Sequence, residues 1–570
     1  MKRHVLLLLF AVALAAGYFR YGVPVVEVVV LIVVALLAIA GGLGYWHFGR
    51  TASRVVRAGE RARRKHGVAS LFDILRYGSA WSVRRKAGIV RPSLAKLSWF
   101  GLLRLPTTEV ALKLCRAGGV TIWSSLEIAV AVFGGPRRGK TALLANWILD
   151  APGAVFCTST RLDIKRLTEA DRGRKGPLYT FNPAAYGGDE GENGEQPRPE
   201  PNTLAFDPLV GCEDMQRATE TAEDMIAKGY GDNEDWRRRA RAVLAILLHA
   251  AALNRDHFTM HTVASWAAMP DESAFQIRAA LRDSPQAQAL ITAFEQFRTT
   301  NDRTRSSITN SITPALAWLS CPTAVAALTS GAQLDVPALI RSRATVYLIG
   351  RDAQHTEGLT GALTGRIIRD TRLYATRQRG GRCDPSPMVV LDEAARVAKV
   401  DLPDISGDAG GNGIILIVAF QSRADMAEVW GPHGAARLIT NCGVRILFGG
   451  TADADELRDW ATLAGERDEE AENFDQSGNS TGHSTRKVPV LATSILAKPG
   501  DGLATVFHSD MSPVIGRMPK AWRRPDVRNT LRWRLVGRPV NRWRAGAAPK
   551  PAQRPPTVHN PTPSYAQSTK

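Results

Sequence analysis

Cysteine is scarce in this chain: six residues in 570 (Cys115, Cys157, Cys212, Cys321, Cys383 and Cys442), with no C-x-x-C pair. That scatter excludes a disulfide framework or a cysteine-built zinc site and suits a reducing compartment. Excess charge is also missing from most of the chain. The formal balance is +19, yet residues 50–96 hold 13 Lys and Arg against 2 acids, and residues 517–570 hold 13 against 1. Those two flanks exceed the total, so the body between them is slightly negative. Basic flanks bind phosphate backbones, in nucleic acid or at an anionic leaflet. The C-terminal flank interleaves Trp522, Trp533 and Trp543 with arginines and ends proline-rich. Such a composition suits stacking on single-stranded bases and equally suits a disordered basic tail.

What is present is chemically specific. Gly134, Gly135, Pro136, Arg137, Arg138, Gly139, Lys140 and Thr141 fit the pattern G-x-x-x-x-G-K-[ST] at every required position. Ile128–Phe133 before it is an apolar run of strand length, and Ala142–Leu149 after it has helical character. Strand, glycine loop and helix together predict a nucleotide site rather than a chance glycine turn. Loop N–H groups and the helix N-terminus would bind phosphates of ATP. Lys140 would reach the β- and γ-phosphates, and the Thr141 hydroxyl would ligate Mg²⁺.

Such a loop needs an acidic partner on another strand. Met388–Glu393 offers four apolar residues followed by two carboxylates. Asp392 is expected to hold the Mg²⁺ shell and Glu393 to orient or deprotonate the attacking water. The plainer reading is a strand ending in a solvated acidic turn. Gly413–Phe420 is a further apolar run, ending at Gln421. Open α/β sheets bind ligands at the carboxyl ends of their strands. Gln421 would there sense the γ-phosphate or position the water, or else cap the next helix.

Two apolar stretches open the chain. Val5–Phe19 follows Lys2-Arg3-His4, and Val23–Trp46 spans 24 residues, enough to cross a bilayer with some tilt. The first resembles a signal peptide with Ala13-Leu14-Ala15 as its cleavage site, or forms a hairpin with the second. The tiny connection at residues 20–22 favours the hairpin. Either way the Lys/Arg-dense flank after Trp46 would stay cytoplasmic, and the hairpin gives a multi-pass protein with its bulk inside the cell.

The expected organisation is a transmembrane hairpin (1–46) followed by a basic juxtamembrane segment (47–118). The first part of an α/β ATPase domain (119–212) precedes an inserted all-helical domain (213–333), where strand signals vanish. The second ATPase part (334–516) and a basic tail (517–570) complete it. Alternating strands and helices indicate a mostly parallel sheet. Residues 466–486 are polar and read as a loop.

These features in this order resemble a known family. Two membrane stretches, a P-loop, a helical insertion, Leu391-Asp392-Glu393-Ala394 and a downstream Gln421-Ser422 look like a type IV secretion coupling protein. These are the conjugative DNA-transfer ATPases of the TraG/TraD kind. Leu402-Pro403, Asn441-Cys442 and Phe448-Gly449 extend the likeness, which covers roughly residues 133–507. The resemblance implies a RecA-like ATPase domain bearing a helical domain, anchored in the bacterial inner membrane as a homo-hexameric ring. It implies ATP-driven delivery of single-stranded DNA with its relaxase, or of protein, to type IV secretion subunits. Two departures stand out. The turn Ala409–Gly413 lacks the arginine the family often carries there, leaving Arg423, Arg437 or Arg445 as substitutes. The short membrane connection also leaves no periplasmic domain. Other readings are a septal double-stranded DNA pump, a protein-secretion ATPase, or a recruiting platform in which ATP only regulates assembly.

Overall fold

The computed structural model describes residues 67–528 apart from 188–198, 232, 351–352, 398 and 475–479, together with three helical positions at 36, 38 and 39. The expected membrane hairpin and most of the basic tail lie outside the described residues. Among those described, no helix is long and apolar enough to cross a membrane.

The strands in chain order are β1 (Ala111–Ala117), β2 (Val120–Ser125), β3 (Val130–Phe133), β4 (Val155–Ser159), β5 (Leu178–Phe181), β6 (Leu204–Ala205) and β7 (Ala332–Gln333). They continue with β8 (Thr345–Ile349), β9 (Met388–Leu391), β10 (Ile415–Phe420) and β11 (Val444–Leu447). The last four are β12 (Glu466–Phe474), β13 (Ser480–Pro489), β14 (Leu503–His508) and β15 (Met511–Arg517). Eleven of them form one sheet in the order β2-β1-β15-β14-β11-β3-β10-β9-β4-β8-β5. From β11 to β5 every pairing is parallel. From β14 to β2 every pairing is antiparallel. The sheet thus begins at β1, inside the basic segment that precedes residue 119.

The parallel strands read as unbroken apolar runs because both of their faces are covered. Successive residues feed two different cores. In β3, Ala131 and Phe133 enter one core, while Val130 and Val132 enter the other. The P-loop helix (Lys140–Asp150) supplies Leu143, Leu144, Trp147 and Ile148 to the second core. The first core continues into the helical insertion through residues such as Leu244, Trp266 and Trp318.

The insertion runs through helices Met215–Met225, Asn233–Leu253, Met260–Ala268, Pro270–Leu281, Ala287–Arg298 and Asp302–Leu316. Its entry and exit are tied by β6 pairing parallel with β7. It docks on the long helix Ala353–Thr376, whose glycines permit close approach. A Cβ at Gly358 would meet the Ala315 carbonyl oxygen at 2.1 Å, and one at Gly365 would meet the Asp224 carboxylate at 1.9 Å. Asp224 itself is buried and paired with Arg369.

One expectation is overturned. Residues 466–486 do not form a loop: β12 and β13 make an antiparallel hairpin. The polar sequence hid it, since no apolar alternation marks a buried face. Cross-strand charge is the missed signal: Asp468 lies opposite Lys487 and Glu469 opposite Arg486, pairs that favour this register.

Candidate nucleotide-binding site

The P-loop leaves β3 and enters its helix through backbone that few side chains permit. Gly139 has φ 107°, in the left-handed region, and immediately precedes the helix at Lys140. A Cβ on Gly134 would lie 2.8 Å from Cβ of Phe448. Gly135 N–H donates to the Gly449 carbonyl at 3.3 Å. The turn after β11 is therefore the wall against which the glycine loop rests. Arg137, at φ 58°, is a non-glycine residue held in the left-handed region, where a fixed surrounding must offset the strain.

Lys140 is buried at the head of the helix, and its Nζ donates to the Gly134 carbonyl. Burial lowers its pKa, opposed by the nearby carboxylates of Asp392, Glu393 and Asp425. Thr141 is the next residue of that helix. Asp392 ends β9 and is buried, with its N–H reaching the Thr158 carbonyl at 3.3 Å. Burial first, then the Glu393 charge, raises its carboxyl to about 6, while Lys140 pulls the other way. Two carboxylates and one ammonium thus share a partly desolvated corner.

Glu393 follows with φ 50°, an uncommon conformation for a non-glycine residue that turns the chain sharply off the strand. Gln421 sits at the end of β10, the strand between β3 and β9. Its Nε2 donates to Glu393 Oε1 at 3.1 Å. The capping role falls to Ser422, whose hydroxyl accepts from Asp425 N–H at 3.2 Å while Asp425 bonds back to Ser422 N–H. Gln421 is thus left free of capping and aimed at Glu393.

Arg396 and Asp425 escaped the sequence reading. Both face a cleft of ≈ 1270 Å³ that is also lined by Pro136, Glu393 and Gln421. Neither belongs to a motif; each simply follows a strand end that does. Arg161, Arg166, Lys228, Arg237 and Lys399 extend the cleft toward the insertion. The three arginines named as substitutes for the family's missing arginine have local partners. Arg423 pairs with Asp459 at 2.6 Å, Arg437 with Asp404 at 3.1 Å, and Arg445 Nε donates to the Cys442 carbonyl at 2.7 Å.

The donor set fits a nucleotide with a hard divalent cation. A glycine cradle that added Cβ atoms would crowd leads into a helix that opens with the buried Lys140 followed by Thr141, and the buried Asp392 carboxylate lies within electrostatic reach of Lys140 at the carboxyl ends of central strands. Thr158 Oγ1, on the strand beside Asp392, is buried without a hydrogen-bond partner among the described residues.

Residues 387–498 match the family model described as the TraM recognition site of TraD and TraG. That stretch includes Asp392, Glu393 and Gln421 but not the P-loop. A probable conjugal transfer protein TraG of Sinorhizobium fredii is 29% identical over 187 residues, 33% of this chain and 29% of the relative. The conjugal transfer protein TraG of Rhizobium radiobacter is 27% identical over 205 residues, 35% of this chain and 31% of the relative. The matched stretches therefore span under a third of either relative. Among solved structures, the bacterial conjugative coupling protein TrwBdeltaN70 matches with TM-score 0.55 at 16% identity, over 71% of this chain and 88% of its own. TrwB in complex with ADP and Mg²⁺ matches with TM-score 0.52 at 16% identity, over 72% of this chain and 91% of its own. At that identity the likeness is one of fold: an α/β body with a helical insert. The chain is thus similar to TraD and TraG proteins over residues 387–498 and to the coupling protein TrwB in fold.

Proposed function

We propose that this chain is a membrane-anchored ATPase of conjugation. In this reading it couples ATP hydrolysis to delivery of single-stranded DNA with its relaxase, or of protein, into a type IV secretion channel. The RecA-like domain would work in a homo-hexameric ring on the inner membrane, and the stretch matching a TraM recognition site would meet a partner of the transfer apparatus. The observation that carries the reading is the Glu393–Gln421 pair beside Lys140 at the carboxyl ends of three adjacent central strands. A pure binding platform has no use for a carboxylate base held by a dedicated amide.

Bound ATP with Mg²⁺ would supply an activated phosphoanhydride and a cation that neutralises its charge. The rest is work for the chain. Loop N–H groups and Lys140 would orient the phosphates, while Thr141 and Asp392 would hold the metal. Glu393 accepts a proton from water at its carboxylate. Gln421, bonded to that carboxylate, fixes its direction and links the site to β10 and the following helix.

The test is a mating assay in cells lacking this gene. Complementation by the wild-type chain and its loss with Lys140→Ala and Glu393→Gln is the expected pattern. Transfer at wild-type frequency by both variants would contradict an ATP-driven role.

A further inference from the structure

The body of this chain carries a concentration of exposed apolar side chains among residues that do not line the candidate nucleotide cleft. Of 17 large hydrophobic side chains exposed among the described residues, ten lie between positions 71 and 103. Six are more than half exposed: Leu71, Phe72, Leu75, Ile89, Trp99 and Phe100. Single exposed leucines are ordinary, but a cluster of this kind marks a surface that something covers.

The surface is built rather than frayed. Helices Leu71–Tyr77, Ala80–Arg84 and Trp99–Arg104 each carry a serine cap, from Ser70, Ser79 and Ser98. Their inner residues Ile74 and Val83 are buried. Ala69 N–H bonds to the Pro513 carbonyl at 3.2 Å, and Trp123 N–H to the Gly78 carbonyl at 2.9 Å, fastening the stretch to β15 and β2. Trp99 packs edge-on against Trp81 at 6.0 Å and Phe100 at 5.4 Å. Arg84 ties the neighbouring helix to the Leu103 carbonyl at 3.2 Å.

Charge narrows the occupant. Arg76, Arg85, Lys86, Lys96 and Arg104 are exposed in the same stretch. Its one acid is already engaged: Asp73 accepts from the Ser70 N–H at 2.9 Å. Aliphatic and aromatic side chains fringed by cations suit the boundary between acyl chains and anionic headgroups. Tryptophan favours that depth. A nucleic acid would use the cations but would leave Leu71, Leu75 and Ile89 in water. The apolar run Val23–Trp46 ends 25 residues before Leu71 in the sequence.

We infer that residues 71–104 dock on the anionic cytoplasmic surface of the membrane, laying the body against the bilayer. The inference rests on the reading that the chain is membrane-anchored. In the test, the full chain carries a photoreactive phenylalanine analogue in place of Phe72 or Phe100. Phe275, which is 73% exposed on the insertion, serves as control. After irradiation in cells, lipid adducts are expected at positions 72 and 100, about fivefold or more above position 275. Adducts to a second copy, to another protein or to residues 1–66 would overturn the docking, as would membrane-bound protein with no adduct. A chain recovered in the soluble fraction would overturn the anchor itself. Should the probes disturb folding, deuterium uptake by unmodified full chain supplies a second reading. Helices Leu71–Tyr77 and Trp99–Arg104 are expected to exchange several-fold more slowly in phosphatidylglycerol vesicles than in phosphatidylcholine vesicles; equal exchange would contradict the proposal.

Discussion

Two regions of this molecule break the usual partition of residues, in opposite directions. At the carboxyl ends of β3, β9 and β10 it buries charge, with Lys140 and Asp392 both buried. In residues 71–103 it leaves Leu, Ile, Phe and Trp exposed. Each costs stability in the isolated chain, and each is relieved only by something outside it. The buried charges call for an anion and a cation; the exposed side chains call for an apolar surface. The comparison teaches that departures from good folding are the most informative features of a fold. The kind of departure names the chemistry of the partner.

The sharpest way to break the comparison is at the buried-charge end. Glu393→Gln keeps the shape and the Gln421 contact but removes the base. ATP turnover is expected to fall by roughly 10²–10⁴ while nucleotide binding persists; comparable loss of both would instead give Glu393 a structural role. Gln421→Ala should cost less, about ten- to a hundredfold in turnover, because it loosens a positioned group without removing it. A steady-state comparison of kcat with nucleotide affinity separates the two.

Next comes the joint between sheet and insertion. Gly358→Ala drives a Cβ against the backbone oxygen of Ala315, which cannot rotate away. The expected loss is about 1–3 kcal/mol in denaturant unfolding, with proteolysis beginning in the insertion. Unchanged stability would mean that the two bodies are only loosely joined.

How much of this was open to sequence reading follows from the same physics. The strands that lead to Lys140, Asp392 and Gln421 announce themselves because both faces are buried, so their runs are continuously apolar. The insertion shows as long helical periodicity, as in Asn233–Leu253. β1 escaped notice: it lies among basic residues, and its neighbours in the sheet, β2 and β15, come from either side of the ATPase body. The β12–β13 hairpin escaped because ladder hydrogen bonds and facing charges leave no apolar pattern. Gln421 had two readings, and the structure gives the capping one to Ser422. The strained φ of Glu393 has no sequence signal at all.

The smallest effect lies on the antiparallel side. His508 is mostly buried at the end of β14, its Nδ1 accepting from Asp510 N–H at 3.1 Å. Burial lowers its pKa below the usual 6.5, with Asp510 opposing and Lys86 and Arg445 assisting. The unfolded chain therefore binds the proton more readily, and stability falls as pH drops below about 6.5. His508→Gln should flatten that part of the pH profile of the melting temperature between pH 7.5 and 5.5. An unaltered slope would place the acid sensitivity elsewhere.

The most direct measurement is ATP turnover by the full chain in lipid, with and without single-stranded and duplex DNA at one fixed salt concentration. Our reading predicts stimulation by single strands that disappears in Glu393→Gln. Turnover indifferent to both nucleic acids, or surviving intact in Glu393→Gln, would contradict it.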